Sequence, residues 1–291
     1  MYCVQKSTLN SFQCGSEDVC RIKEGSTNDY LLDKRVVEEF LAVIEPQYNT
    51  AISNFRNGNF TADSIFVIAG FASFIMSCAP TAMRINSDYL AKTVESQAAI
   101  MEKMRTLPPP PKELGGTSMT DLLQKGLVKV NVDDKYPQAI GIAGLYDRTI
   151  KFGNSEWDIL INEDPYSPFF TSDFPIAIEH SEDPRILNRI MPLAPDIAIR
   201  IRPTFAPPPR KDADQFPMFS ARVRILNHQE IRKINTLIVQ CADEQVYYRD
   251  DKEWVMPFIS KNAGYWIEPI TARIPTHKGE LIWSSMRITR R

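Results

Sequence analysis

The chain has 291 residues, with 34 lysines and arginines against 36 aspartates and glutamates and a formal charge of −2. At 43% apolar and 24% charged residues it has the make-up of an ordinary globular protein, which excludes a disordered chain, and neither a collagen nor a coiled-coil period appears. A pI near 6.0 carries no strong nucleic-acid signature.

The opening residues, MYCVQKSTLN, contain no long apolar run of the signal-peptide kind. Cys3, Cys14, Cys20, Cys78 and Cys241 are odd in number and irregular in spacing, which reads as free thiols of a reducing cytoplasm rather than a secreted disulfide framework. Cys14 and Cys20 lack the second pair or nearby histidine of a structural zinc site. Residues 1–30 are polar and irregular, with room for one short hairpin.

Helical periodicity starts after Asp33, a suitable cap, with Val37, Leu41, Ile44 and Tyr48 on one stripe. Asn57-Gly58-Asn59 marks a turn, and Thr61 or Asp63 caps the next helix. That helix contains the uncharged run Ile65–Ala79, shorter than the ~20 residues a bilayer requires, so the expectation is a buried helix and no membrane span. A third helix is predicted from about Thr81 to Arg105, and helical signals return at Met119–Val130 and Tyr136–Tyr146. Between them lies LPPPPKELGGTS (107–118), whose four prolines favour an extended arm.

The pattern changes after Gly153. WDILIN (157–162), FPIAIE (174–179), DIAIRIR (196–202) and ARVRIL (221–226) read as strands, the third with isoleucine and arginine alternating at the period of a half-exposed strand. A second proline-rich loop, 205–217, precedes the last of these. A helix is predicted from Asn227 to about Ala242, then strands at Gln245–Tyr248, Tyr265–Ile274 and Leu281–Thr289. The expected architecture is α+β: a helical bundle (31–152) packed on a mainly antiparallel, sheet-rich half (153–291), the two forming one compact unit.

The most distinctive stretch is PFFTSDFP (168–175). Thr171, Ser172 and Asp173 can hydrogen-bond local backbone in a turn, and Asp173 at a strand end also suits a metal ligand or general base. Glu179-His180-Ser181 lacks the lysine of the metal-nuclease pattern it partly matches, and Arg222 to His228 has an arginine–histidine spacing found in some ribonucleases, here at a strand–helix junction. With only His180, His228 and His277, no Gly-x-Ser-x-Gly, no phosphate-binding glycine loop and no dinucleotide fingerprint, the standard hydrolase and nucleotide motifs have no support.

The succession Val37-Glu38-Glu39-Phe40-Leu41 with Ile44-Glu45, Ser77-Cys78-Ala79-Pro80 with Arg84, Phe170-Thr171-Ser172-Asp173-Phe174-Pro175, Met191-Pro192-Leu193-Ala194-Pro195-Asp196, and Asn235 before Val239 and Ala242 resembles the DUF4238 family of uncharacterised, largely bacterial proteins, over roughly residues 15–250. The resemblance implies a preceding histidine-rich segment with His-x-x-Pro and Tyr-Leu. This sequence has no counterpart, so the expectation is a truncated chain, an internal start, or lost activity if those histidines are catalytic.

Two functional readings stay open. In the first, Asp173, Glu45 and Arg84 act as catalytic groups and Thr171, Ser172 and Asn235 as binding groups of a polar phosphate- or metal-binding site, with a divalent metal as cofactor and a nuclease-like or phosphotransfer role. In the second, the chain is a non-catalytic cytoplasmic interaction protein that meets a protein partner through its proline-rich loops.

Overall fold

A computed structural model describes residues 1–19, 25, 27–107, 113, 115–183, 185–204, 206, 211–276 and 279–290. Cys20, His277, Arg291, residues 108–112 and 114 of the first proline-rich tract and residues 205 and 207–210 of the second lie outside the described residues, so the partner contact expected of the proline runs falls there, while Cys14 is a buried free thiol.

The helical part is built around one buried helix. α1 (Val36–Ile44) turns Val37 and Ile44 inward; its N-cap is Arg35, with no side-chain cap, and not Asp33, which lies two residues earlier and accepts the Arg35 N–H at 2.8 Å. α2 (Tyr48–Arg56) buries Ala51, Ile52 and Phe55. α3 (Ala62–Cys78) is capped by the Thr61 side chain, which accepts from Ser64 N. It is apolar on most sides because α1, α2, α4, α6 and α7 surround it. Gly70 permits this closeness, since a Cβ there would stand 3.0 Å from the Phe40 ring. At Ala79 the backbone becomes extended (φ −66, ψ 144), as a residue before proline prefers, and α4 (Pro80–Lys103) leaves at 57°. Among the described residues no single helix is long and apolar enough to cross a membrane. α5 (Met119–Gln124), α6 (Lys135–Ala143) and α7 (Leu145–Gly153) complete the bundle.

Three sheets follow. A small antiparallel one joins the ends of the family of motifs: β1 (Tyr2–Gln5) pairs with β2 (Ser11–Gln13) as the expected hairpin, and its other edge pairs with β9 (Gln245–Tyr248), which also holds β4 (Thr171–Ser172). The five-stranded sheet has the order β5-β6-β7-β3-β8, from β3 (Glu156–Ile161), β5 (Ala177–His180), β6 (Leu187–Ala194), β7 (Ile197–Arg202) and β8 (Ser220–Ile225). Only β3 and β8 run parallel. β6 is absent from the expected elements because Pro192 interrupts its pattern; the register shifts at Pro192/Ala194, an irregularity that accommodates proline. α8 (His228–Cys241) opens with a full capping box between Asn227 and Glu230. α9 (Val255–Asn262) and a long hairpin of β10 (Tyr265–Thr276) and β11 (Gly279–Arg290) end the chain.

The large sheet is covered on both faces except at its edge strand β8, which is mostly exposed. Trp157 of β3, opposite Ile201, packs edge-on against Phe55 of the bundle at 5.8 Å. On the other face α8 lays Ile234 and Leu237 beside Glu179 and Arg200. Of the alternating arginines of β7, Arg200 is therefore turned away from water, while Arg202 keeps about a third of its side chain exposed. Fully buried Asp158 receives Arg200 at 3.1 Å and Arg202 at 2.5 Å, with Arg222 at 3.7 Å, while Glu179 takes Arg200 at 2.8 Å.

Removing Asp158 leaves these guanidiniums without their central counter-charge. Asp158→Ala should lower the unfolding free energy by roughly 3–5 kcal/mol in urea denaturation, the usual cost of stranding a buried charge. A loss no larger than that of a surface substitution would show that solvent, not Asp158, neutralises the arginines.

Candidate functional site

The segment 168–175 is held at both ends by side chains from α8 and by the turn that follows α8. Asn235, buried on α8, accepts the Phe170 N–H at 3.0 Å and donates to the Pro168 carbonyl at 3.0 Å. Thr171 and Ser172 pair with Tyr247 and Val246 of β9, and Ser172 Oγ accepts the Phe174 N–H at 3.3 Å. Asp173 then accepts three successive backbone N–H groups, from Asp243 (2.9 Å), Glu244 (2.7 Å) and Gln245 (3.0 Å). Its carboxylate grips the α8–β9 turn as an anion grips a nest of amides. Burial pushes the Asp173 carboxyl up, with the Asp243 charge adding to that, while the three N–H donors pull it down.

Arg84 reaches the same turn from α4: it contacts Asp243 at 3.3 Å and the Ile267 carbonyl at 3.4 Å. The structure thus gathers Asp173, Thr171, Ser172, Asn235 and Arg84 around the α8–β9 connection. Glu45 stands apart, exposed at the C-terminal cap of α1. Glu179 belongs to Arg200 and Asn188 rather than to Asp173. Arg222 and His228 likewise have separate partners, Glu156 for the first and Asp164 with Ser167 for the second.

One member of this cluster was not singled out by sequence. Lys6 follows β1 and is buried, its Nζ donating to the carbonyls of Ala242 and Tyr265 at 2.6 Å each and lying 4.9 Å from the Trp266 ring centre. Burial lowers its pKa to about 8 against the opposing pull of Asp173 and its neighbours. In sequence it sits in a polar stretch that reads as solvated; only the pairing of β1 with β9 takes it inside.

Two cavities flank the pinned segment, separated by Phe170, which stacks on Trp254 at 5.6 Å and meets Phe258 edge-on at 5.8 Å. The smaller, about 410 Å³, is where the two motif stretches meet: Thr171 and Pro175 face Pro192, Leu193 and Pro195 across it. The larger, about 610 Å³, lies between the 166–167 loop, α8 and α9. Asn235 forms part of its wall, Tyr166, Trp254 and Phe258 supply aromatic surface, and His228, Arg232, Lys252 and Lys261 supply basic groups. Lys252 is braced by the Pro165 carbonyl at 2.9 Å and lies 4.9 Å from the Tyr166 ring centre. His228 Nδ1 is shared between Ser167 Oγ at 3.2 Å and Asp164 Oδ2 at 3.3 Å. A serine relay needs the carboxylate and the serine on opposite ring nitrogens, so this trio is not arranged as one. Among the described residues no group of three or more His, Cys, Asp or Glu side chains is placed to hold a metal ion.

Asp173→Asn keeps the shape but turns an amide donor toward one of the backbone N–H groups. It should cost roughly 2–3 kcal/mol of stability in denaturant melts, while Thr171→Ala costs much less. Equal effects would show that the three amides find other acceptors. Lys6 gives a signed pH dependence. Folded, it loses its proton near pH 8; unfolded, near 10.5. Between these values the unfolded chain holds more protons, so the Lys6 contribution to stability rises with pH, by roughly 3 kcal/mol overall. The wild-type minus Lys6→Met difference in unfolding free energy should grow in favour of wild type between about pH 7.5 and about pH 9.5. A flat difference would place the ammonium in contact with water.

Comparison with known proteins returned one family. No curated protein and no solved structure matches the chain. The model of the family described as "Protein of unknown function (DUF4238)" matches residues 1–252, a span that contains β1, the pinned segment, α8 and β9, and stops just before Trp254. The chain belongs to the DUF4238 family.

Proposed function

We propose that this protein binds a planar aromatic molecule bearing a phosphate or similar anionic group in the cavity of about 610 Å³. The observation that carries this reading is the coexistence, in one ligand-sized space, of an aromatic wall and a basic rim. Trp254 and Phe258 are fixed by their contacts with Phe170 and with each other, so a ring placed against them meets a rigid surface. Arg232 and Lys261 are exposed at the rim, and among the described residues neither has a carboxylate partner. A phosphate there would be held by charge-assisted hydrogen bonds.

In this reading Asn235 positions the wall. Ser172, Thr171 and Asp173 hold the segment that carries Phe170, Arg84 reinforces the turn that Asp173 grips, and Glu45 takes no part. The arrangement favours binding over the nuclease-like or phosphotransfer chemistry considered from sequence, because the Asp173 carboxylate is already occupied by backbone. The setting we propose is a bacterial, reducing cytoplasm. The family resemblance supports the origin, and the free, buried thiols of Cys3, Cys14, Cys78 and Cys241 support the compartment.

A mononucleotide such as adenosine monophosphate is a suitable probe. Titration should quench tryptophan fluorescence in the wild type. Trp254→Ala should abolish the binding-linked signal and the heat in calorimetry. Arg232→Ala with Lys261→Ala should weaken binding about tenfold or more and flatten its loss with salt, since the charges that confer salt dependence are gone. Binding unchanged in both variants, or none in the wild type, would overturn the reading.

A further inference from the structure

Among the described residues, the face of the large sheet that looks toward the helical bundle carries one arginine or lysine. In β6, Arg189 stands opposite Ile178 of β5 and Ile201 of β7, both fully buried, and Ile201 is in turn opposite Trp157. Its Nη1 donates to the carbonyls of Leu187 at 3.0 Å and Asn188 at 3.3 Å. Its Nε is buried with no hydrogen-bond partner among the described residues. A guanidinium has five N–H donors in a fixed fork, so most of this one's capacity is unused.

The contrast with the opposite face is direct. Arg200, Arg202, Arg222 and Arg224 each meet a carboxylate, whereas among the described residues Arg189 meets none. The titratable groups that bear on it are Tyr89 from α4 and Cys241 from α8. Burial pushes both up to about 12, so neither supplies a negative charge at neutral pH. Burial also lowers the pKa of Arg189 itself, to about 10, which leaves it charged. An uncompensated charge of this kind is costly, and a bound anion removes the cost.

The space for one is present. A cavity of about 320 Å³ adjoins Arg189, walled by Tyr89, Leu187, Thr204 and Trp283, with Arg185 also on its lining. The Tyr89 hydroxyl donates to the Ser285 carbonyl, tying α4 to β11 across the cavity. Charge and orphaned donor therefore both belong to Arg189 of β6, and α4, β11 and the chain around Thr204 supply the walls of the space beside it. We propose that this cavity is an oxyanion-binding site, distinct from the aromatic cavity beside α9, in which a carboxylate or phosphate is gripped by the Arg189 fork and the rest of a small ligand packs against Trp283.

The test uses the full chain with two probes, inorganic phosphate and benzoate, read by thermal shift and calorimetry; the probe that binds identifies the source of the oxyanion. At least one should raise the melting temperature of the wild type. Arg189→Lys, which keeps the charge but loses the fork, should bind it about tenfold more weakly or worse, and Arg189→Met should not bind it. Without ligand, Arg189→Met should melt above the wild type, because it removes a buried charge rather than a paired one. Should that variant fail to fold, Arg189→Lys and Thr204→Val carry the binding test. Trp254→Ala should leave the response intact, which separates this site from the aromatic one. No shift with either probe up to about 10 mM, an equal response in wild type and Arg189→Met, or a response lost in Arg232→Ala but kept in Arg189→Met would each overturn the proposal.

Discussion

The grip of Asp173 on the backbone of residues 243–245 is the constraint on which the rest of the molecule depends. It fixes the turn between α8 and β9. β9 then serves as the template on which β1 and β4 pair, so one carboxylate sets the register of strands from the start, middle and end of the family-matched span. Because the donors are main-chain amides, the interaction specifies a place and an orientation rather than a partner residue. The buried Lys6 ammonium acts from the other side, taking up the carbonyl of Ala242 at the start of the same turn and that of Tyr265 at the start of β10. Anion on the N–H side and cation on the C=O side together leave little of that backbone unsatisfied.

Much of this fold was legible in the sequence, for reasons that are local. The Asn227 capping box and the period of Ile231, Ile234 and Ile238 define α8 within a residue, and Gln245–Tyr248 is a strand in both readings. Thr61 caps α3 as expected. What escaped is what depends on distant chain. Pro192 in β6 and Pro257 in α9 break local patterns, and both are tolerated through position: a register shift in one, the first turn of a helix in the other. The alternation of Ile197–Arg202 predicts one apolar and one solvent face. A period of two cannot distinguish a face that meets water from a face that meets buried carboxylates, and Arg200, only 13% exposed, belongs to the second kind.

The site residues divide along the same line. Thr171, Ser172, Asp173 and Asn235 are chemically capable of the turn-forming bonds they make, and that capability was visible in PFFTSDFP as an alternative to catalysis. Arg84 arrives at the same turn because α3 and α4 meet at an angle set by Ala79-Pro80. Glu45 does not, since α1 ends with that residue turned to solvent. The cavity walls were not legible at all. Trp254, Phe258 and Lys261 come from a helix that local pattern did not reveal, and their meeting with Tyr166, His228 and Arg232 is a tertiary event.

The two faces of the five-stranded sheet show how the same side chain acquires opposite meanings. On the α8 face, arginine is a structural group, because Asp158, Glu156, Glu179 and Glu230 share the surface and the charges cancel in place. On the bundle face, Arg189 lies among Ile178, Ile201 and Trp157 with no such partner among the described residues, and the fold leaves a space beside it instead of a carboxylate. Apolar residues of similar volume would fill the first role at no loss of stability, and often with a gain. They would fill the second with a clear gain. Arg189 meets only two backbone carbonyls and, among the described residues, no carboxylate, and that asymmetry, rather than the number of arginines, distinguishes a candidate binding group from a solved packing problem.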